Sequence, residues 1–282
     1  MKIQKGQVAL VTGASRGLGV YIAREFAARG VNLVLAARSI EPLQALAAEL
    51  GTGDVRCIAV QADMSRSEDV QALYRKACEA FGQIDYVVNN AGIELINDYV
   101  GLSQDDVSWV LGVNLVGPML LSHLALEDMY KRNSGHIVNI ASAAGYFFGP
   151  YAETYSATKA GLVGFTHSVR CSARQLGKRV SASVVAPGFL DDTGMYADMR
   201  AQGARKAPWF VSSLPGKDIA PAVIKVIERD IPIKLVMPYA PRVLKMLQIA
   251  MPKTFEFLSL KLGIFRTFVD VATHRASNQQ NS

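Results

Sequence analysis

The chain has 282 residues, is half apolar, and carries 30 Lys and Arg against 24 Asp and Glu. That size and apolar content support one large core in one or two domains. The three cysteines, Cys57, Cys78 and Cys171, are far apart and odd in number, which excludes a disulfide framework or a CxxC zinc site. They read as reduced, mostly buried thiols in a cytoplasmic protein, and no metal is expected. The opening MKIQKGQVALVTGAS reads as a strand entering a turn, not as a signal peptide. No run of 18 uncharged apolar residues occurs, so no spanning helix is expected.

Apolar runs and helical patterns alternate along the first 238 residues. Strands are predicted at 7–12, 32–37, 55–61, 85–89, 136–142, 180–186 and 233–238. Their continuous apolar character fits strands covered on both faces. Helices are predicted near 17–30, 39–50, 67–81, 103–132, 155–176 and 217–229, opened by Ser39, Ser67, Ser103 and Gly216 and closed by Gly30, Gly51 and Gly82. This order implies an α/β fold: one Rossmann-type, doubly wound, seven-stranded parallel sheet. Residues 190–216 lack a sustained period and read as a binding loop.

After Pro238, spacings of three and four among Val243, Leu244, Leu247, Phe255, Leu258, Leu262, Phe265, Phe268 and Val269 predict two amphipathic helices broken near Pro252. They form a C-terminal extension, 239–273, followed by a flexible polar tail, 274–282. Lys234–Ser282 holds seven Lys or Arg and two acids, while the rest of the chain is nearly neutral. A local basic tail argues against a nucleic-acid surface. Three roles stay open for the extension: capping the substrate entrance, packing on another subunit, or peripheral contact with an anionic membrane.

Two features carry chemistry. TGASRGLG, 12–19, directly follows the first strand and opens the first helix. Gly13 allows a tight turn, while Gly17 and Gly19 let backbone approach a pyrophosphate at the helix N-terminus. Ser15 and Leu18 belong to the same turn. The second strand ends Ala36-Ala37-Arg38, with no acid for a ribose 2′-hydroxyl. Arg38 and Arg16 instead suit a 2′-phosphate, so NADP(H) is expected over NAD(H). Tyr155 and Lys159 lie at i and i+4 of a predicted helix, where an ammonium is expected to lower the phenol pKa for proton exchange with an alcohol or carbonyl.

Over roughly 5–238, the chain resembles the short-chain dehydrogenase/reductase family. TGASRGLG, Asp63, NNAG at 89–92, Asn114, Ser142, YSATK at 155–159 and the Pro187-Gly188 pair occur in the family's order. The resemblance implies that Asp63 and the Met64 backbone contact adenine, and that Asn90, Ala91 and Gly92 line the cofactor cleft. It makes Ser142 the carbonyl-polarising hydroxyl and Tyr155 the acid or base. Lys159 would hold the nicotinamide ribose, Asn114 would fix a proton-relaying water, and Pro187 and Gly188 would wall the nicotinamide. The family's Thr after Pro-Gly falls here on Asp192, with Thr193 one residue later, so Thr193 is the expected substitute.

Aromatic and apolar residues at 143–151 and 189–210, including Trp209 and Phe210, suggest an apolar pocket. Ala144, Phe148, Tyr151, Phe189 and Tyr196 are its expected lining, beside Ser142 and Tyr155. The implied function is NADP(H)-dependent interconversion of a carbonyl and an alcohol on a bulky lipophilic substrate of steroid, retinoid, terpenoid or long-chain acyl type. Dehydration, epimerisation or double-bond reduction on the same fold, or a non-enzymatic nucleotide-binding scaffold, are the competing readings. The resemblance also implies a homodimer or homotetramer through the helices at 103–132 and 155–176.

Overall fold

The computed structural model describes residues 2–201, 203–207, 213–237 and 246–280. Seven parallel strands form the central sheet: β1 (Val8–Thr12), β2 (Asn32–Ala37), β3 (Cys57–Gln61), β4 (Tyr86–Asn89), β5 (Gly135–Ile140), β6 (Val180–Pro187) and, at the far edge, β9 (Ile233–Val236). Their order is β3-β2-β1-β4-β5-β6-β9. The chain builds outward from β1 to β3, then returns to lay β4 on the other side of β1. Between β1 and β4 the strand order reverses, and in open α/β sheets the crevice at such a point binds ligands beyond the carboxyl ends of the strands.

Both faces of the sheet are buried, which explains the continuous apolar runs. Ala9 and Val11 of β1 face one core with Ile22 and Phe26 of α1 (Leu18–Ala27) and with Val223 and Ile227 of α8 (Gly216–Glu228). Val8 and Leu10 face the other core, with Val70 and Leu73 of α3 (Ser67–Phe81) and Leu121 and Met129 of α5 (Gly117–Arg132). Side α2 (Ile40–Leu50) and the long α6 (Glu153–Gln175) complete the layers.

The predicted helix at 103–132 opens as expected. Ser103 Oγ accepts the Asp106 N–H at 3.0 Å, and the Asp106 carboxylate accepts the Ser103 N–H at 3.1 Å, a reciprocal cap. It is not uniform, however: α4 (Gln104–Leu111) joins α5 through a π-helical turn at Gly112–Val116. The run 104–132 is long and apolar enough, by length and composition alone, to cross a membrane. Here its inner face is core.

Four expectations need correction. The loop at 190–216 contains helix α7 (Gly194–Ala201) and a two-residue parallel pairing of β7 (Phe189–Leu190) with β8 (Ser213–Leu214). The extension breaks twice: helical residues 246–250 stop before α9 (Pro252–Lys261), and a turn through Gly263, at φ +60, precedes α10 (Arg266–Gln280). Helix α10 thus continues past 273, where a flexible tail was expected; Val243, Leu244, Trp209 and Phe210 lie outside the described residues. The cysteines are not mostly buried: Cys57 and Cys78 are half-buried and Cys171 is exposed on α6. Burial still pushes the Cys57 thiol up to about 12.

Candidate active site

The glycine turn between β1 and α1 is built to fit backbone against backbone. A Cβ added to Gly13, at φ +66, would lie 2.8 Å from the Ala91 Cα. One added to Gly19 would lie 2.3 Å from the Gly13 carbonyl oxygen. Gly19 therefore serves the packing of α1 against the turn and does not itself line the cavity described below. The Thr12 hydroxyl accepts the N–H groups of Asn90 and Ala91, both at 3.1 Å. The Asn90 amide donates back to the carbonyls of Thr12 and Gly13, at 2.9 and 3.1 Å. The end of β4 thereby fixes the shape of the turn. Helix α1 starts after Gly17 with neither a capping side chain nor an acidic residue in its first turn. That leaves its N–H groups and partial positive charge for an anion.

Two arginines flank this end. Arg38, after β2, lies over the Trp109 ring with its guanidinium carbon 5.3 Å from the ring centroid. Arg16 pairs with Asp198 of α7 at 3.2 Å. Asp63, after β3, accepts the N–H and hydroxyl of Ser65 at 2.9 and 2.8 Å, which fixes the turn that leads to buried Met64.

At the other end, Tyr155 and Lys159 project from α6 and are both buried. The Lys159 ammonium donates to the Ile140 carbonyl at 3.0 Å and lies 5.6 Å from the centroid of the Tyr155 ring. Asn114 sits in the π turn, fully buried. Its Oδ1 accepts the Ile93 N–H and its Nδ2 donates to the Ile93 carbonyl, both at 2.8 Å. It thus holds the segment after β4, bringing Gly92 so close that a Cβ there would lie 3.3 Å from the Lys159 Nζ. Ser142, just past β5, accepts the Ala144 N–H at 3.1 Å and lines the same cavity as Tyr155.

The electrostatics differ from the sequence expectation for Tyr155. Burial pushes the phenol pKa up, the Glu94 carboxylate adds to this, and the Ser142 hydroxyl opposes it. Burial pulls Lys159 itself down to about 8, with Glu94 opposing. Tyr155 is therefore a neutral phenol near neutral pH, and so a proton donor.

Both ends open into one cavity of about 380 Å³. Gly13, Ser15, Arg16, Gly17, Leu18, Arg38, Asp63, Met64, Asn90, Ala91 and Gly92 line it on one side, and Ser142, Ala144, Tyr155, Lys159, Pro187, Gly188, Phe189, Thr193 and Tyr196 on the other. Asn114 stands behind Gly92. Phe148 and Tyr151 are not lining residues: Phe148 turns outward, and Tyr151, at φ +64, packs beside the wall. Phe147 turns inward instead, against Phe255 and Phe265. Asp192 is engaged elsewhere, accepting the Gly216 N–H at 2.7 Å and the Tyr21 hydroxyl at 3.3 Å, while Thr193 faces Gly17. Sequence reasoning missed Glu94, one residue past Ile93, and did not place Ile264, Phe265 or Phe268 of the extension in the cavity wall.

A family model described as short chain dehydrogenase matches residues 7–204. The chain belongs to this family. It is 37% identical over 223 residues to the Ketoacyl reductase HetN of Nostoc sp., covering 79% of this chain and 76% of that protein. A metagenomic short-chain oxidoreductase solved in complex with NADP shares 31% identity at a TM-score of 0.70, over 83% of this chain and 98% of the other. A short chain dehydrogenase/reductase from Burkholderia phymatum, solved with NAD, shares 27% identity at a TM-score of 0.74, over 93% of this chain and 97% of the other. The protein is accordingly an oxidoreductase of the short-chain dehydrogenase family.

Proposed function

We propose that the protein interconverts a carbonyl and an alcohol on a bulky lipophilic molecule, using NADP(H). The reading rests chiefly on one arrangement: buried Tyr155 and Lys159 and half-buried Ser142 lie where a phosphate-binding cleft meets an aromatic-walled compartment in a single cavity. The cofactor fits the residues present, since the glycine turn and uncapped α1 suit a pyrophosphate. Four solved relatives hold NADP, NADPH or 5-hydroxy-NADP, and one holds NAD. The residues after β2 agree with the four, since Ala37-Arg38-Ser39 offers a cation and no acid. Arg38 and Arg16 would hold the 2′-phosphate.

When bound, the reduced cofactor supplies the hydride. The protein supplies position and a proton. Ser142 donates to the substrate carbonyl oxygen, and the neutral Tyr155 phenol gives that oxygen its proton as negative charge develops. Lys159, charged below about pH 8, adds a positive field beside them. Asn114 acts through the Ile93 backbone, keeping Gly92 and Lys159 in contact.

Phe147, Phe189, Tyr196 and Met199 support an apolar substrate. The ketoacyl reductase name of a relative favours the long-chain acyl member of that class over the steroid, retinoid and terpenoid members. Comparing kcat/KM for lipophilic ketones and for small polar ketones, with NADPH, tests the reading; preference for the polar set overturns it. Exposed Val116 and Met119 support a homo-oligomer through the outer face of α5, which sedimentation would detect. Exposed Ile249, Phe257 and Leu260 beside Lys253 and Lys261 support peripheral contact with anionic membrane, which vesicle flotation would detect.

A further inference from the structure

The family model ends at residue 204, yet Ile264, Phe265 and Phe268 reach the cavity from beyond it. We propose that this C-terminal segment is a wall of the substrate site, with Phe265 and Phe268 determining which substrates it accepts. The inference rests on the carbonyl-reductase reading and deepens it.

The wall is continuous. The Phe265 ring occupies the space that a side chain at Gly149 would need, since a Cβ there would lie 2.4 Å from it. It contacts Phe147 at 5.4 Å between ring centroids. Phe268 lies 5.9 Å from Phe189, which in turn stacks on Tyr196 of α7 at 4.4 Å. The loop after Ser142, the loop after β6 and the extension thus meet ring to ring around the apolar end.

Two attachments hold the segment in place. On one side Gln248 pairs with both the N–H and the carbonyl of Phe148, at 3.1 and 3.0 Å. On the other, α10 is bound to residues 205–206. The Arg205 guanidinium meets Asp270 at 2.7 Å, and the Arg205 N–H donates to the same carboxylate at 2.9 Å. The Thr267 hydroxyl donates to the Arg205 carbonyl at 3.0 Å, and Arg266 donates to the Lys206 carbonyl at 3.1 Å. The exposed Arg205–Asp270 pair adds little stability of its own. The backbone bonds fix position, and position is what a specificity wall requires.

The test uses the full chain and three variants, Phe265→Ala, Phe268→Ala and Gly149→Ala, with a graded series of cyclic and linear ketones. Steady-state rates are read beside ketone-induced thermal shifts of the NADPH complex, recorded whether or not turnover occurs. Removing either ring should raise kcat/KM for the largest ketones over the smallest by roughly tenfold, through KM, as expected for changed pocket volume. Gly149→Ala displaces Phe265 and should raise KM across the lipophilic set. NADPH affinity should stay unchanged throughout. Thermal shifts that change with ring removal while no ketone turns over would uphold the wall and overturn the carbonyl reading. An unchanged size preference in active variants would overturn the wall alone. Absence of a shift by any ketone would overturn both.

Discussion

Replacing Arg38 with alanine should convert a cofactor preference into near indifference. Arg38 is already positioned, its guanidinium resting over the Trp109 ring, so little is lost in ordering it onto a 2′-phosphate. A hydrogen bond to a charged group contributes about 1.5–3 kcal/mol, and the exposed position argues for about 2. That corresponds to roughly thirtyfold weaker NADPH binding, at about 1.4 kcal/mol per tenfold. Arg16 should matter less, because it must first leave Asp198, and exchanging one exposed partner for another yields under about 1 kcal/mol. Arg16→Ala should therefore cost at most about fivefold, and Asp198→Asn should tighten NADPH slightly. Equilibrium fluorescence titration with NADPH and NADH reads all three variants. NADH affinity should hardly move, since it lacks the phosphate. Equal weakening of both cofactors by Arg38→Ala, or weakening of neither, would refute the assignment.

Other consequences are simpler to state. Gly13→Ala places a Cβ 2.8 Å from the Ala91 backbone at φ +66, so NADPH binding should fall at least tenfold, by roughly 1–2 kcal/mol of left-handed strain plus the contact. Reductive kcat/KM should decline as pH rises through about 8, where Lys159 loses its charge. His136 is buried and neutral, its Nε2 bonded to the Ser183 hydroxyl at 2.8 Å, and burial pulls its pKa from 6.5 to about 3. The unfolded chain therefore binds the extra proton first. Stability from this group is full above pH 6.5 and declines by about 1.4 kcal/mol per unit as pH falls toward 3. Urea midpoints measured from pH 7 to 4 should show this slope, and His136→Asn should flatten it.

The sheet was legible because its strands are buried on both faces, so each is a continuous apolar run whose ends fall within two residues of those observed. The glycine turn and the Ser103 cap were legible for a related reason: their chemistry is local. What sequence could not supply was nonlocal. Phe147 and Phe148 are adjacent aromatics, and only the turn at Ala143–Gly145 and the docked extension decide which faces inward. Helix α7 is short and flanked by Asp and Gly, which obscured its period. Spacing in the extension revealed helices and left capping of the substrate entrance among three roles, but not which of its rings line the cavity. The i, i+4 rule placed Lys159 near Tyr155, yet burial and Glu94, neither visible in local spacing, set the direction of the phenol shift.

The most direct test is a single-turnover measurement of NADPH oxidation with a saturating lipophilic ketone, comparing the native chain with Tyr155→Phe. A positioned proton donor contributes about 10²–10⁴-fold. The rate should fall by that factor while NADPH affinity is preserved, because the phenol hydroxyl alone is removed. A Tyr155→Phe enzyme that oxidises NADPH as fast as the native protein would contradict the account.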